Sequence, residues 1–411
     1  MRNRRFWRLI GSLLVASLLL AACAPAQTST PEAVQATEAP AGGEEQGTIM
    51  IGGALCLTGI QAPLDEPAVR GAQLAVDEIN KKGGLLGKKL EFKNLDGKSD
   101  PVTVGNAALQ LIQEGAVAIV MPSDFDFGGP AGREAQKAGL VGISPAASSP
   151  LLSSSTLGDK QFPMSMWNTT MGAATAEYVY NTKGWRKGYV VTDTFIDYTK
   201  SLSRYFIEAF KLYGGEILFE DTYVQGDQDF SAQLARIKAL PELPDFIYIS
   251  SYMPDLATII RTIRENGVDV PIVGGDSYDD PALFEALGTE YGNEIVYDTH
   301  TYLDASVSPG MGDFLTAYQA KYGKPVDAIW VATGYDAINL LAKAIEIAGS
   351  TDGAAVAKAM EDNEFQLLTG NLDWSPAADG HAPNKEAVLV ELKDGKPIFI
   401  SWMRPEKVPP P

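Results

Sequence analysis

Few side chains in this sequence are equipped to make or break a covalent bond. Its only histidines are His300 and His381, and its only cysteines are Cys23 and Cys56. No Gly-x-Ser-x-Gly elbow occurs, and no grouping of His, Cys and carboxylate has the spacing of a zinc site, so neither a nucleophilic hydrolase nor a metalloenzyme is indicated. The acidic pairs Asp124/Asp126 and Asp279/Asp280 could be imagined as catalytic carboxylates or Ca²⁺ ligands. In a chain of net charge −19, however, loop acids are ordinarily solvated, and they are read so here. One segment does carry binding chemistry: Ser144-Pro145-Ala146-Ala147-Ser148-Ser149-Pro150 follows an apolar run. Such a turn presents backbone N–H groups and hydroxyls at a helix start, which suits an anion; it would equally serve as a plain helix cap.

Positioning that turn requires a scaffold, and the sequence supplies a regular one. Short β-branched runs at Ile49–Leu55, Leu90–Leu95, Val117–Met121, Val141–Ile143, Gly188–Thr192, Ile217–Tyr223, Phe246–Ser250, Ile272–Gly274 and Ile295–Tyr297 read as strands. Amphipathic stretches separate most of them. In the first, Glu66–Lys81, Val69, Ala72, Val76 and Ile79 share one face, and Lys81-Lys82-Gly83-Gly84 ends it. This alternation predicts an α/β fold with parallel sheets covered on both faces by helices. About 365 residues with 45% apolar composition suffice for two doubly wound units, whose ligands bind beyond the carboxyl ends of the strands.

The N-terminus reads as a targeting device. Arg2, Arg4, Arg5 and Arg8 precede an apolar run, Leu9–Leu20, too short to span a bilayer, and Leu20-Ala21-Ala22-Cys23 resembles a lipobox. We therefore expect a signal peptide over 1–22, lipidation at Cys23 and a tether over 23–47, poor in large apolar residues and so unable to fold. Removing the four arginines takes the net charge from −19 to −23, which argues against a nucleic-acid partner. With Cys23 assigned to lipid, Cys56 has no partner for an intramolecular disulfide.

The segment Gly71-Ala72-Gln73-Leu74-Ala75-Val76-Asp77-Glu78-Ile79-Asn80-Lys81-Lys82-Gly83-Gly84 resembles the hallmark of type I periplasmic binding proteins of the branched-chain amino acid branch. Asp100-Pro101, the Ser144–Pro150 turn and Asp229-Phe230-Ser231 follow in the order of that family. The resemblance implies two lobes joined by a three-segment hinge, with crossings near Trp167, Thr299 and Leu372. Lobe 1 would comprise 48–168 plus 300–372, and lobe 2 169–299 plus 373–411. It implies a substrate-binding lipoprotein of an ABC importer, working as a monomer outside the cytoplasm with the permease and ATPase subunits as partners. It implies no enzymatic activity, cofactor or metal. The ligand expected is a branched-chain or other apolar amino acid, captured between the lobes; amides, urea or aromatic acids, bound for transport or sensing, are the alternative, and an extracellular enzyme the less favoured one.

The resemblance also assigns residues. Ala146 and Ser148 would hold the α-carboxylate, and Asp276, after Gly274-Gly275, the α-ammonium, although an Asp after two glycines also suits a turn. Tyr198 and Tyr252 would close over the ligand, binding a cation by their ring faces and an aliphatic chain by dispersion, with core packing the alternative role for both. A tyrosine of the first lobe is replaced near Leu64. The serine expected after the third strand falls at Phe125, with Ser123 two residues away, and Trp167 either walls the cleft or serves as a structural tryptophan of the hinge.

Overall fold

A computed structural model describes residues 47–227 and 229–411. The expected signal peptide, the lipidation at Cys23 and the tether up to residue 46 lie outside the described residues. The first half of the fold is a five-stranded parallel sheet built from β1 (Thr48–Gly53), β2 (Lys89–Asn94), β3 (Ala118–Val120), β4 (Val141–Ser144) and β5 (Gln161–Pro163), in the order β2-β1-β3-β4-β5. The second is a seven-stranded sheet from β6 (Lys187–Asp193), β7 (Glu216–Tyr223), β8 (Phe246–Ser250), β9 (Ile272–Gly274) and β10 (Ile295–Thr299). The chain then returns to the first lobe through β11 (Phe365–Leu367), β12 (Gly370–Trp374) and β13 (Pro383–Asn384). Finally β14 (Ala387–Lys393) and β15 (Lys396–Met403) complete the second sheet in the order β15-β14-β10-β9-β8-β6-β7.

Two doubly wound lobes with three crossings thus follow directly from strand membership. Reversals of strand order, between β1 and β3 in one sheet and between β6 and β8 in the other, open a crevice at the carboxyl ends of each. The first crossing lies between β5 and the helix Asn168–Glu177, the second after Thr299. The third lies beyond the expected Leu372. Leu372 and Trp374 pack into the same core as Ile51, Ile143 and Leu341 of the first lobe, so the chain leaves that lobe only after Asn384.

Each expected strand is present, with ends shifted by at most a few residues. Not expected were β5, a three-residue strand ending in proline, the short strands β11–β13 and the β14–β15 hairpin. The hairpin turns at Asp394-Gly395, both at positive φ (50° and 72°), as a two-residue turn demands. The expected first helix runs over Ala62–Lys81, one turn earlier than its expected start at Glu66, with Pro63 in the first turn, where its missing N–H costs no helical bond.

That helix is pressed against the helix Trp330–Ala348 at two glycines. A methyl group on Gly71 would meet the carbonyl oxygen of Val331 at 1.8 Å, and one on Gly334 that of Ala68 at 1.9 Å. The crossing brings Leu64 and Trp330, near the starts of the two helices, into one apolar cluster with Ala146. The hinge is tied by Lys385, fully buried, whose ammonium donates to Met164 O (2.9 Å) and Thr369 Oγ1 (2.7 Å). Burial pushes its pKa down to about 8, against the pull of Asp336. His381 stacks on Phe162 with ring centroids 4.1 Å apart. Among the described residues no helix is long and apolar enough to cross a membrane, and no three His, Cys or carboxylate groups converge as a metal site would require.

Candidate ligand-binding site

The crevices of the two lobes face each other, and the lobes meet. Asp197 of the second lobe donates its backbone N–H to Asp126 Oδ2 of the first at 2.9 Å, while its carboxylate accepts from Ser149 Oγ. Phe127 of the first lobe packs among Ile196, Tyr198 and Leu202 of the second. Deeper in, Tyr252 Oη donates to Asp124 Oδ2 at 2.9 Å, again across the cleft.

On the second-lobe side, β9 ends in Gly274-Gly275 and delivers Asp276. The glycines are required by contact: a methyl on Gly274 would enter the Tyr278 ring, and one on Gly275 would meet Leu202 at 2.5 Å and the Tyr198 hydroxyl at 3.0 Å. Asp276, 4% exposed, accepts from Tyr198 Oη on one oxygen and lies 2.9 Å from His300 Nε2 on the other. Tyr198 opens the helix Asp197–Tyr213, and its ring sits 5.2 Å from that of Tyr252. Burial and Asp276 push the Tyr198 hydroxyl well above the usual phenol range, so it stays a donor. Burial lowers the His300 pKa against the attraction of Asp276. A neutral ring donating from Nε2 then leaves Nδ1 as a buried acceptor without a partner among the described residues. Behind this group Asp298 is fully buried, and desolvation together with Asp276 favours its protonated form.

On the first-lobe side, the Ser144–Pro150 turn follows β4. Ser144 Oγ is tied between Pro122 O and the N–H of Ala147, which fixes the loop. Ala146 faces Leu64, Trp330 and Tyr252. Ser148 is 2% exposed and its hydroxyl has no partner among the described residues, while its carbonyl accepts from Asn168 N at the first crossing (2.7 Å). Asn168 in turn donates to Tyr198 O, linking the turn to the opposite lobe.

The structure therefore brings Ala146, Tyr198, Tyr252 and Asp276 into one connected group, with Ser148 at its hinge side. It does not bring Ser123 or Phe125 there. Both the N–H (3.0 Å) and the hydroxyl (2.6 Å) of Ser123 donate to Asp65 Oδ1, a buried acid in the first helix that also accepts from Cys56 N. Phe125 packs back onto the core of its own lobe beside Met121 and Ala131. The residue between them is the one that reaches the cleft. Asp124, 2% exposed, accepts from Gln61 Nε2 (2.6 Å) as well as from Tyr252, and burial with the nearby Asp276 and Asp126 pushes its pKa up to about 7. The reading of Asp124 and Asp279 as solvated loop acids is thus corrected, for both are buried, Asp279 also with its pKa raised to about 7 by desolvation.

Three residues of this group were not expected in the cleft: Asp124, His300 and Trp330, the last edge-on to His300 with centroids 5.4 Å apart. His300 is the residue after β10, at a strand end, and that position was the available signal. Trp167, proposed as a wall, caps the helix Asn168–Glu177 and is 5% exposed, its indole N–H buried without a partner among the described residues. Cys56 is buried, and desolvation raises its thiol pKa to about 12, which removes it from thiolate chemistry at neutral pH.

Two doubly wound lobes with a triple crossing, closed on a polar and aromatic cleft, define a periplasmic binding protein. The sequence matches the model of that family over residues 48–397, and the chain belongs to it, in the type I branch of the branched-chain amino acid binders. The Leu/Ile/Val-binding protein BraC3 of Rhizobium johnstonii is 29% identical over 333 residues, 80% of this chain and 88% of that protein. Among solved structures, the substrate-binding protein LivJ of Streptococcus pneumoniae, in complex with isoleucine, aligns with a TM-score of 0.79 at 29% identity, covering 87% of this chain and all of the other. The leucine-binding protein LivK of Thermotoga maritima aligns with a TM-score of 0.78 at 30% identity, over 87% of this chain and 99% of its own.

Proposed function

We propose that this protein captures an amino acid by closing its lobes and delivers it to an ABC importer, as an extracytoplasmic lipoprotein anchored through Cys23. The observation that carries the reading is opposed polarity within one closed cleft. The first lobe offers an anion-binding turn with the unpartnered hydroxyl of Ser148, and the second a carboxylate, Asp276, framed by two tyrosines. A zwitterion satisfies both ends at once, and the apolar wall of Leu64, Ile329 and Trp330 receives an aliphatic chain. Because Tyr252 and Asp124 bond only when the lobes meet, a ligand between them favours the closed state by its differential affinity. Closure also sets exposed apolar residues of opposite lobes, Ile60 and Phe195, on the rim of one open depression of about 510 Å³. Such a rim, formed by both lobes together, is what a permease could use to distinguish the closed form.

The test is a thermal-shift and calorimetric screen of the purified protein against amino acids, amides, urea, aromatic acids and sugars, since a ligand selective for the folded state raises the midpoint. Stabilisation by amino acids is expected; stabilisation confined to compounds without an ammonium would overturn the amino-acid reading and leave the fold assignment standing. The anchor is tested separately: Cys23→Ala should move the protein from the membrane fraction to the soluble extracytoplasmic fraction, and unchanged membrane association would remove Cys23 from its role.

A further inference from the structure

The cleft holds more negative charge than a zwitterion needs. Asp124 enters it from the first lobe and Asp276 from the second, separated by the Tyr198–Tyr252 ring pair. The groups that hold them are Gln61, Tyr252 and Tyr198, which are neutral, and His300, whose protonation burial disfavours. No lysine or arginine bonds to either carboxylate among the described residues. The buried cation of the hinge, Lys385, is engaged with Met164 O and Thr369. Against these two acids stands one anion-binding element, the Ser144–Pro150 turn. Three buried polar groups here have no partner among the described residues and point to a bound molecule with both acceptors and donors: the Ser148 hydroxyl, His300 Nδ1 and Gln61 Oε1, each at most 2% exposed.

Two carboxylates enclosed together without a counter-ion repel each other and lose hydration, a penalty that a cation arriving with the ligand would offset. We propose, resting on the amino-acid reading above, that the physiological ligand is a basic amino acid with a second ammonium on its side chain. Asp276 holds the α-ammonium, and Asp124, steadied by Gln61 and Tyr252, holds the side-chain ammonium. The methylene stem lies along Leu64, Ile329 and Trp330, and the α-carboxylate sits on the Ser144–Pro150 turn. An apolar amino acid would fill the same wall yet leave Asp124 with only its neutral partners Gln61 and Tyr252.

Calorimetric titration of the purified wild-type protein with 2,4-diaminobutyrate, ornithine, lysine and leucine decides the matter. At least one diamino acid should bind about 10- to 100-fold more tightly than leucine, the scale of one charge-assisted hydrogen bond. In Asp124→Asn, an isosteric change that keeps an acceptor for Gln61, the ratio of diamino-acid to leucine affinity should collapse whatever the change in closure common to both ligands, and an unchanged ratio would overturn the inference. Leucine preferred over every diamino acid by the wild-type protein would overturn this inference and leave the amino-acid reading intact. Binding of no amino acid of any charge would overturn both. The wild-type ranking needs no variant, so a poorly folded Asp124→Asn protein does not shelter the proposal.

Discussion

At the scale of single residues, the site depends on partners that a linear reading cannot see. Asp276 illustrates what can be read: a carboxylate after two glycines at a strand end, carried by a resemblance, lies against Tyr198 and His300 in the cleft. Replacing it with Ala should weaken binding of an amino acid by about 2–5 kcal/mol, because an ammonium would be left buried without its counter-charge; calorimetry checks this, and an unchanged affinity would remove Asp276 from the site. Ser123 and Asp124 illustrate the opposite case. They are neighbours in sequence, yet the serine turns inward to Asp65 and the aspartate outward to Tyr252. Which of the two reaches the cleft is set by a buried acid in the first helix, and Asp65 bears no local mark of being buried. His300 was equally hidden, since a histidine after a strand acquires meaning only when another strand places a carboxylate 2.9 Å away.

Elements were easier to read than contacts between them. The β-branched runs and amphipathic helices were legible because parallel strands buried on both faces are continuously apolar, and helices facing a sheet repeat at 3.6 residues. Illegible elements were those whose stability is tertiary: β5, with three residues, and β11–β13, each held by packing rather than pattern. The same holds for the helix pair Ala62–Lys81 and Trp330–Ala348. Their crossing depends on Gly71 and Gly334, where the chains approach backbone to backbone and neither side can yield like a flexible side chain. Gly334→Ala should therefore destabilise the protein by about 1–3 kcal/mol or more and weaken ligand binding as Trp330 shifts with its helix. Thermal melts monitored by circular dichroism check the first effect and calorimetry the second. A melt identical to wild type would show that the helices separate at no cost.

For the whole molecule, the distribution of buried acids sets a pH dependence whose sign is definite. Asp65, Asp124 and Asp279 have pKa values raised from 3.8 to about 6, 7 and 7, with burial the largest cause, and Asp298 is shifted in the same direction. Between the unfolded and folded values the native state binds more protons than the unfolded state, so stability falls as pH rises through that window. His300 and His381, both lowered by burial, act in the opposite sense below about 6.5 but are outnumbered. Lys385, lowered from 10.5 to about 8, contributes in the opposite sense above about pH 8, but Cys56 and the buried tyrosines Tyr198, Tyr248 and Tyr278, all raised by burial, remove stability as pH rises above about 9. The melting midpoint of the ligand-free protein should therefore decline from about pH 5 to pH 7.5. Asp124→Asn should flatten the decline; a midpoint rising steadily from pH 5 to 7.5 would contradict the burial of these acids. The placement of Trp330 has a further, optical consequence. Its indole stands edge-on to His300 in the wall that would receive the ligand stem. Its emission is therefore a built-in reporter of occupancy, and with the five other tryptophans replaced by phenylalanine it would follow ligand capture in real time without any label.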